Sequence, residues 1–229
     1  MEKNIFPENI PKEILPSNNF ISEEDRNDLV KNSNVVKFSR KDVIFKQGTR
    51  TSHVMFIKTG MIKIYKEGRG QKTIILKLGT AGHFLGLISI FGEDTFNYSA
   101  SAIEDSEILF IDINTFKDVL NRNGQYASYL LNVLSIDNLY IFERIMSQSQ
   151  KQLPGRIADI ILYFSEQIYK NEEFEFPLTR NELAELAGTT KESLIRTLTE
   201  FKNDKIIELD NKWVRIKSLH IVKTLSRIG

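Results

Sequence analysis

Glu192 and Arg196 stand four residues apart, with Lys191 immediately before them. On a helix this spacing puts a carboxylate and a guanidinium one above the other on one face. One accepts hydrogen bonds and the other donates them in a fixed fork. The stretch around them, Leu178 to Phe201, reads as two short helices about a glycine turn. Thr179 and Glu182 have the spacing of a capping box. Leu183, Ala184, Leu186 and Ala187 give the first helix an apolar face, and Gly188 ends it in a left-handed turn. Thr189 or Thr190 caps the second helix, whose buried stripe is Leu194, Leu198 and Phe201 at i, i+4, i+7. Lys191, Glu192 and Arg196 remain on the opposite face near the helix start. This is the helix-turn-helix pattern, in which the second helix enters the DNA major groove by its N-terminal part. An ordinary helical hairpin with a solvated ion pair would carry the same residues, so the flanking chain must decide.

The chain has 229 residues, 31 basic and 30 acidic, so no global charge marks a nucleic-acid partner. The local balance does change. Lys151 to Thr190 carries 4 basic and 7 acidic residues, whereas Lys191 to Gly229 carries 9 and 5. The charge turns positive where the second helix begins, as attraction to phosphates requires. Cysteine is absent, which excludes disulfides, thiolate metal sites and cysteine-ligated iron–sulfur clusters. Met1 to Ile21 is polar and interrupted by Pro7, Pro11 and Pro16, unlike a signal peptide. No stretch approaches the roughly 20 apolar residues of a membrane helix. The expectation is a cytoplasmic protein with no membrane partner.

The elements that must position this segment follow in order. Ile21 to Val30 reads as a helix capped by Ser22. From Val35 to Asp112 come short β-type runs: 35–38, 42–46, 53–57, 61–65, 72–78, 84–91, 98–103 and 108–111, with glycine-rich turns between. Such spacing predicts a sandwich or barrel of hairpins. Asn114 caps a short helix, Thr115 to Asn121. A long helix follows from Tyr126 to about Gln150, on the order of 37 Å at ~1.5 Å per residue. Leu131, Leu134, Asn138, Ile141 and Ile145 recur at 3-4-3-4 spacing, a coiled-coil seam with one polar member, which predicts a homodimer. A second stripe, Tyr129, Val133, Ile136 and Tyr140, is free to pack on the β domain. Leu153-Pro154-Gly155 breaks the helix and is the candidate hinge. Ile206 to Leu209 and Trp213 to Ile216 form a hairpin with Lys212 at its tip, a wing.

This order resembles the Crp/Fnr family of bacterial transcription regulators from about residue 20 onward. The likeness is carried by Pro154-Gly155-Arg156-Ile157-Ala158, by Leu178-Thr179-Arg180-x-Glu182-Leu183-Ala184 and by Gly188-x-x-Lys191-Glu192-Ser193-Leu194-x-Arg196. In the β region it is carried by Val43-Ile44-Phe45-x-x-Gly48 and Phe56-Ile57-x-x-Gly60-x-Ile62-Lys63. The resemblance implies an α+β chain. An N-terminal double-stranded β-helix (a β-roll of the cyclic-nucleotide-binding type) would span 1–124, a dimerisation helix 125–150 and a winged helix-turn-helix DNA-binding domain 151–229. It implies double-stranded DNA and RNA polymerase as partners. By position, Lys191, Glu192 and Arg196 match base-reading residues: arginine can donate twice to guanine, and glutamate can accept from cytosine N4. Thr179, Arg180, Thr190, Ser193 and Lys212 match residues that hold phosphates. Ile195 stands where relatives commonly have a small residue, so it either touches a thymine methyl or crowds the groove. A two-fold dimer predicts a palindromic site.

The sensor end departs from the family. Cyclic-nucleotide members carry Gly-Glu at the start of a phosphate cassette and Arg-Ser at its end. Here Gly86 is followed by Leu87, and Phe96-Asn97 stands at the end. A buried phosphodiester without a guanidinium would leave its charge unpaired, at a cost of several kcal/mol. On the long helix, the positions that would face the base are Ile141 and Phe142. The expected effector pocket is therefore an apolar one at Gly86, Leu87, Phe96, Asn97, Ile141 and Phe142, and no cyclic AMP binding is expected in the family's usual mode. Some relatives hold haem and sense NO, CO or O2. That alternative would draw its iron ligands from His53, His83, Met55 and Met61, although lone histidines and methionines in strands are commonly hydrogen-bonded or core filler. A further alternative is a regulatory module that binds partners other than DNA. No nucleophile–base pairing, phosphate-binding glycine loop or cupin-type histidine cluster is visible, so no enzyme is expected.

Overall fold

The computed structural model describes residues 20–92 and 94–229. The expectation about a signal peptide over Met1–Ile21 falls almost wholly outside them. The chain forms two compact units that divide between Tyr140 and Ile141.

In the first unit, α1 (Glu23–Lys31) is capped by the Ser22 hydroxyl, which accepts from the Asp25 N–H. Eight strands follow: β1 (Ser33–Phe38), β2 (Val43–Phe45), β3 (His53–Thr59), β4 (Met61–Glu67), β5 (Thr73–Thr80), β6 (Phe84–Leu85), β7 (Ser99–Ala102) and β8 (Ser106–Asp112). They make two four-stranded sheets, β1-β8-β3-β6 and β2-β7-β4-β5, antiparallel throughout. The period of two explains why β3 is apolar on both faces. Met55 and Ile57 join Phe45, Ile62, Ile64 and Phe96 in a core drawn from both sheets. Val54 and Phe56 face a second core shared with the helices.

One expected strand is largely helical. The 84–91 run is strand only at Phe84–Leu85, after which α2 (Leu87–Phe91) takes over. Gly86 lies between them at φ 89°, a backbone conformation that turns the chain out of the sheet and favours glycine. The next helix, α3 (Ile113–Arg122), is capped by Asp112 rather than Asn114: the Asp112 carboxylate accepts from the Thr115 N–H at 2.9 Å.

The long helix α4 (Gly124–Gln150) buries Tyr126, Leu130, Val133 and Tyr140. Tyr129 and Leu134 also pack on the helix-side core. The residues of the expected seam divide between the two faces of the helix. Leu134 belongs to the β-roll side and Ile141 is half-buried, while Leu131, Asn138 and Ile145 are exposed. The stripe left open is Leu131, Ser135, Asn138, Phe142 and Ile145, again at 4-3-4-3 spacing, flanked by exposed Leu139 and Met146. Its 3.5-residue period is retained, but the face is rotated. A largely buried ion pair, Lys77 Nζ to Asp137 at 2.5 Å, fastens β5 to α4.

The second unit holds the tail of α4 and α5 (Leu153–Leu162), with Pro154 in its first turn, where its missing N–H costs nothing. A methyl at Gly155 would lie 2.8 Å from the Gly229 backbone, so α5 and the last helix, α8 (Leu219–Ile228), approach as only glycine allows. The expected hinge at Leu153-Pro154-Gly155 therefore lies inside the second unit, not at its edge. The three-stranded sheet β10-β11-β9 combines β9 (Glu173–Glu175), β10 (Ile207–Asp210) and β11 (Trp213–Ile216). Phe164, Phe174 and Phe176 form an aromatic cluster beneath it.

Candidate DNA-binding surface

The two helices of the opening motif are α6 (Arg180–Ala187) and α7 (Lys191–Asn203). The capping box is complete. Glu182 N–H donates to the Thr179 hydroxyl, and Thr179 N–H and hydroxyl donate back to the Glu182 carboxylate at 2.9 and 2.8 Å. Gly188 takes the left-handed conformation, φ 63°, and its N–H returns to the Ala184 carbonyl. Thr190 caps α7 by accepting from the Ser193 N–H at 3.2 Å. The predicted stripe of Leu194, Leu198 and Phe201 is buried against the rest of the unit, with Thr197 beside it. The reverse face is left to solvent. Lys191, Glu192, Ile195 and Arg196 are all exposed, and among the described residues no ion pair ties Glu192 to Arg196. The bland reading of that pair, a mutual surface salt bridge, is not what the side chains do here.

The positions expected to hold phosphates divide into two groups. Thr179, Thr190 and Ser193 lie at helix starts, where the Thr179 and Thr190 hydroxyls serve as caps and the Ser193 hydroxyl accepts from that of Thr190. Arg180 turns inward. Its guanidinium donates to the Asn211 carbonyl in the wing turn and lies over the Phe176 ring, 5.7 Å from its centroid. Burial lowers its pKa. Arg180 therefore ties the wing turn to the start of α6. Lys212 follows Asn211 in that turn and is half-buried. Asn211 adopts φ 48°, as a two-residue hairpin requires.

Residues not singled out in the sequence hold this motif from behind. Arg144, on the tail of α4, donates to the Leu186 carbonyl at 2.5 Å, near the end of α6. Gln148 packs on Gly188, where a methyl would meet its Cδ at 3.3 Å. Asp159 on α5 accepts from Ser147 at 2.6 Å, Lys151 at 2.8 Å and Ser226 at 2.6 Å. Arg144, Gln148 and Lys151 recur at helical spacing, a polar stripe that could have been read as a docking face.

In the β-roll, the chain's own groups fill the cassette positions. Phe96 is 5 % exposed and stacks on Phe45 with centroids 3.8 Å apart. The Gly86 N–H donates to the buried Tyr98 hydroxyl at 2.8 Å, and burial pushes that phenol up to about 12. Leu87 is buried in the helix-side core, and Asn97 is exposed. Ile141 is half-buried and Phe142 is 61 % exposed, both in the second unit. The histidines and methionines have local roles. The His53 ring bonds Ser52, His83 accepts from the Thr80 N–H at 3.2 Å, and Met55 and Met61 are buried. No group of three metal-ligating side chains occurs among the described residues, and no helix there is long and apolar enough to cross a membrane.

Comparison with known proteins gives this arrangement its context. Residues 35–123 match the cyclic nucleotide-binding domain, and residues 155–223 match the Crp-like helix-turn-helix domain. The chain is 24 % identical over 195 residues to the transcriptional activator protein FnrA of Stutzerimonas stutzeri, covering 82 % of this chain and 78 % of that one. It is also 24 % identical over 193 residues to a CRP-like cAMP-activated global transcriptional regulator of Mycobacterium tuberculosis, covering 82 % and 86 %. The fold superposes on the structure of FixK2 from Bradyrhizobium japonicum with a TM-score of 0.77 at 15 % identity, covering 84 % and 96 %. With the roll, the long helix and the winged motif in their family order, the chain belongs to the Crp/Fnr family of DNA-binding transcription regulators.

Proposed function

We propose that this protein is a cytoplasmic homodimeric regulator that reads a palindromic promoter site, with RNA polymerase as its partner there. The observation that carries the reading is the free face of α7: Lys191, Glu192 and Arg196 exposed at the start of a helix whose other side is buried. Arg196 takes guanine and Glu192 takes cytosine N4, while Lys191 reaches guanine without arginine's fork and selects less sharply. Ile195, 42 % exposed on the same face, offers an apolar contact for a thymine methyl. Thr179, Thr190, Ser193 and Lys212 orient the domain on phosphates, and Arg180 acts one step back by holding the wing.

The open stripe of α4 supports the dimer. Leu131 is 65 % exposed and Ile145 57 % exposed, at coiled-coil spacing around Asn138, a device that fixes register. A second copy of the helix is the occupant that would cover it. The filled cassette supports an effector other than cyclic AMP: Phe96 stands where a phosphate-binding arginine would be, and Tyr98 has taken the Gly86 N–H. Any effector acts only by binding one arrangement of the two units better than the other.

Mapping bound sites on genomic DNA tests the core of the reading. The expected result is an inverted repeat with half-sites about one helical turn apart, recovered by the wild type and lost with Arg196→Ala. No recovered motif, or one indifferent to Arg196, would overturn it.

A further inference from the structure

The β-roll has a recess beyond the filled cassette position. It opens among β2, the loop from Lys46 to Ser52, β3 and β8, and has a volume of about 380 Å³. Its floor is apolar, built from Phe45, Phe96, Met55 and Phe110. Phe45 and Phe96 stack with 18° between their planes and are 8 % and 5 % exposed, so the floor offers a small remaining aromatic surface beside the half-buried Phe110 ring. The polar side of the lining is cationic. Lys46 and Arg50 both contribute and no carboxylate does. Both cations are exposed, and among the described residues neither is held in an ion pair. Among the described residues, nearby acidic residues outside the lining include Asp94, whose backbone carbonyl accepts from the Thr51 N–H, and Asp112, which caps α3. A recess with an apolar floor and an unpaired guanidinium at its rim matches a small molecule with an apolar body and one acid group.

We propose that this recess binds a small organic acid, an aromatic or medium-chain carboxylate, as the effector of the regulator. The proposal rests on the DNA-binding reading for its consequence but not for its binding step. Phe96 and Met55 are shared walls. A methyl on Gly86 would meet Phe96 at 3.2 Å and the Met55 side chain at 3.8 Å, so Gly86 lies directly behind both. Gly86 opens α2, and Leu87 and Ile90 of α2 share a core with Tyr126 and Leu130 of α4. An occupant that presses on the floor therefore has a packed route to the long helix. The acid ends on Arg50, and the body covers Phe96 and Phe110.

The test uses the full chain without DNA and three probes, benzoate, 1-naphthoate and octanoate, titrated calorimetrically. Saturable binding of at least one at one site per chain is expected. Arg50→Gln should weaken it by about tenfold, the loss of one charge-assisted hydrogen bond. Thr49→Trp, an exposed rim change that fills the opening without touching the core, should abolish it. The neutral 1-naphthalenemethanol should bind no better than the Arg50→Gln variant binds 1-naphthoate. Failure of all three acids to bind overturns the proposal, as does binding that ignores Thr49→Trp. Binding that survives Arg50→Gln unchanged overturns the acid class. Promoter-fragment binding measured on the same preparation separates these failures from a failure of the DNA reading.

Discussion

The recognition helix and the sensor cassette are built by the same local rules and end in opposite states. At α7, the Thr190 hydroxyl caps the Ser193 N–H, and Gly188 closes the end of α6 back onto Ala184. The charged side chains are thus left over for a partner. At Gly86 the backbone donor is met by Tyr98, and the neighbouring space is met by Phe96. At Gly86 itself no donor is left over, although the Ser89 hydroxyl on α2 is buried without a hydrogen-bond partner. A binding surface is therefore marked less by residue type than by which groups the fold has not already used.

Four measurements sharpen or break that contrast. The largest effect is expected from Phe96→Arg, which restores the family's charge to a position 5 % exposed and stacked on Phe45. An unpaired guanidinium there should cost about 3–5 kcal/mol in urea unfolding, with no gain in cyclic AMP binding. A stable variant that binds the nucleotide would show that the position is not truly filled. Next, Arg196→Ala should weaken binding to the cognate half-site by about 1–3 kcal/mol, read by anisotropy at fixed salt. Arg196→Lys should keep the salt slope and lose base selectivity. Equal binding by all three proteins would place the readers elsewhere.

Tyr98→Phe is a smaller probe. It leaves the Gly86 N–H without its acceptor and should cost about 1–2 kcal/mol in the same unfolding assay. An unchanged stability would mean that the donor is not sealed in. The smallest effect is a pH slope. Burial, helped by the Lys77 charge, holds the His83 imidazole below its usual 6.5, while the Thr80 backbone and Asp137 pull the other way. The folded state then takes up the proton less readily than the unfolded chain. The stability concerned is intact above about pH 6.5 and is lost as the pH falls through the lowered folded value. His83→Gln should flatten the difference in thermal midpoint between pH 7.5 and pH 5. Parallel curves for the two proteins would remove His83 from the account.

Much of the DNA-binding end was legible because its signals are local. Thr179 with Glu182, Gly188, and the Leu194–Leu198–Phe201 stripe each depend on neighbours within a turn or two. The wing hairpin also followed from adjacent residues. What was not legible were the long-range choices. Periodicity found two apolar stripes on α4 but assigned Leu134 to the free one, because both stripes satisfy a helical repeat and only the roll decides which is covered. Arg180 matched a phosphate-holding position, yet Phe176 and the Asn211 carbonyl compete for its guanidinium. The break at Pro154 suggested a hinge, but Arg144, Gln148 and Asp159 bind the end of α4 into the second unit.

The sequence alone determined most of the order of elements and the helix-turn-helix with its caps, since these are properties of residue type and short spacing, while the absence of the cassette's charges was read through the family resemblance. Tertiary structure decided which donors remain unused, which face of the long helix stays open, and where a recess survives beside Phe96. Those depend on what distant segments bring to the same point, and no local pattern encodes that competition.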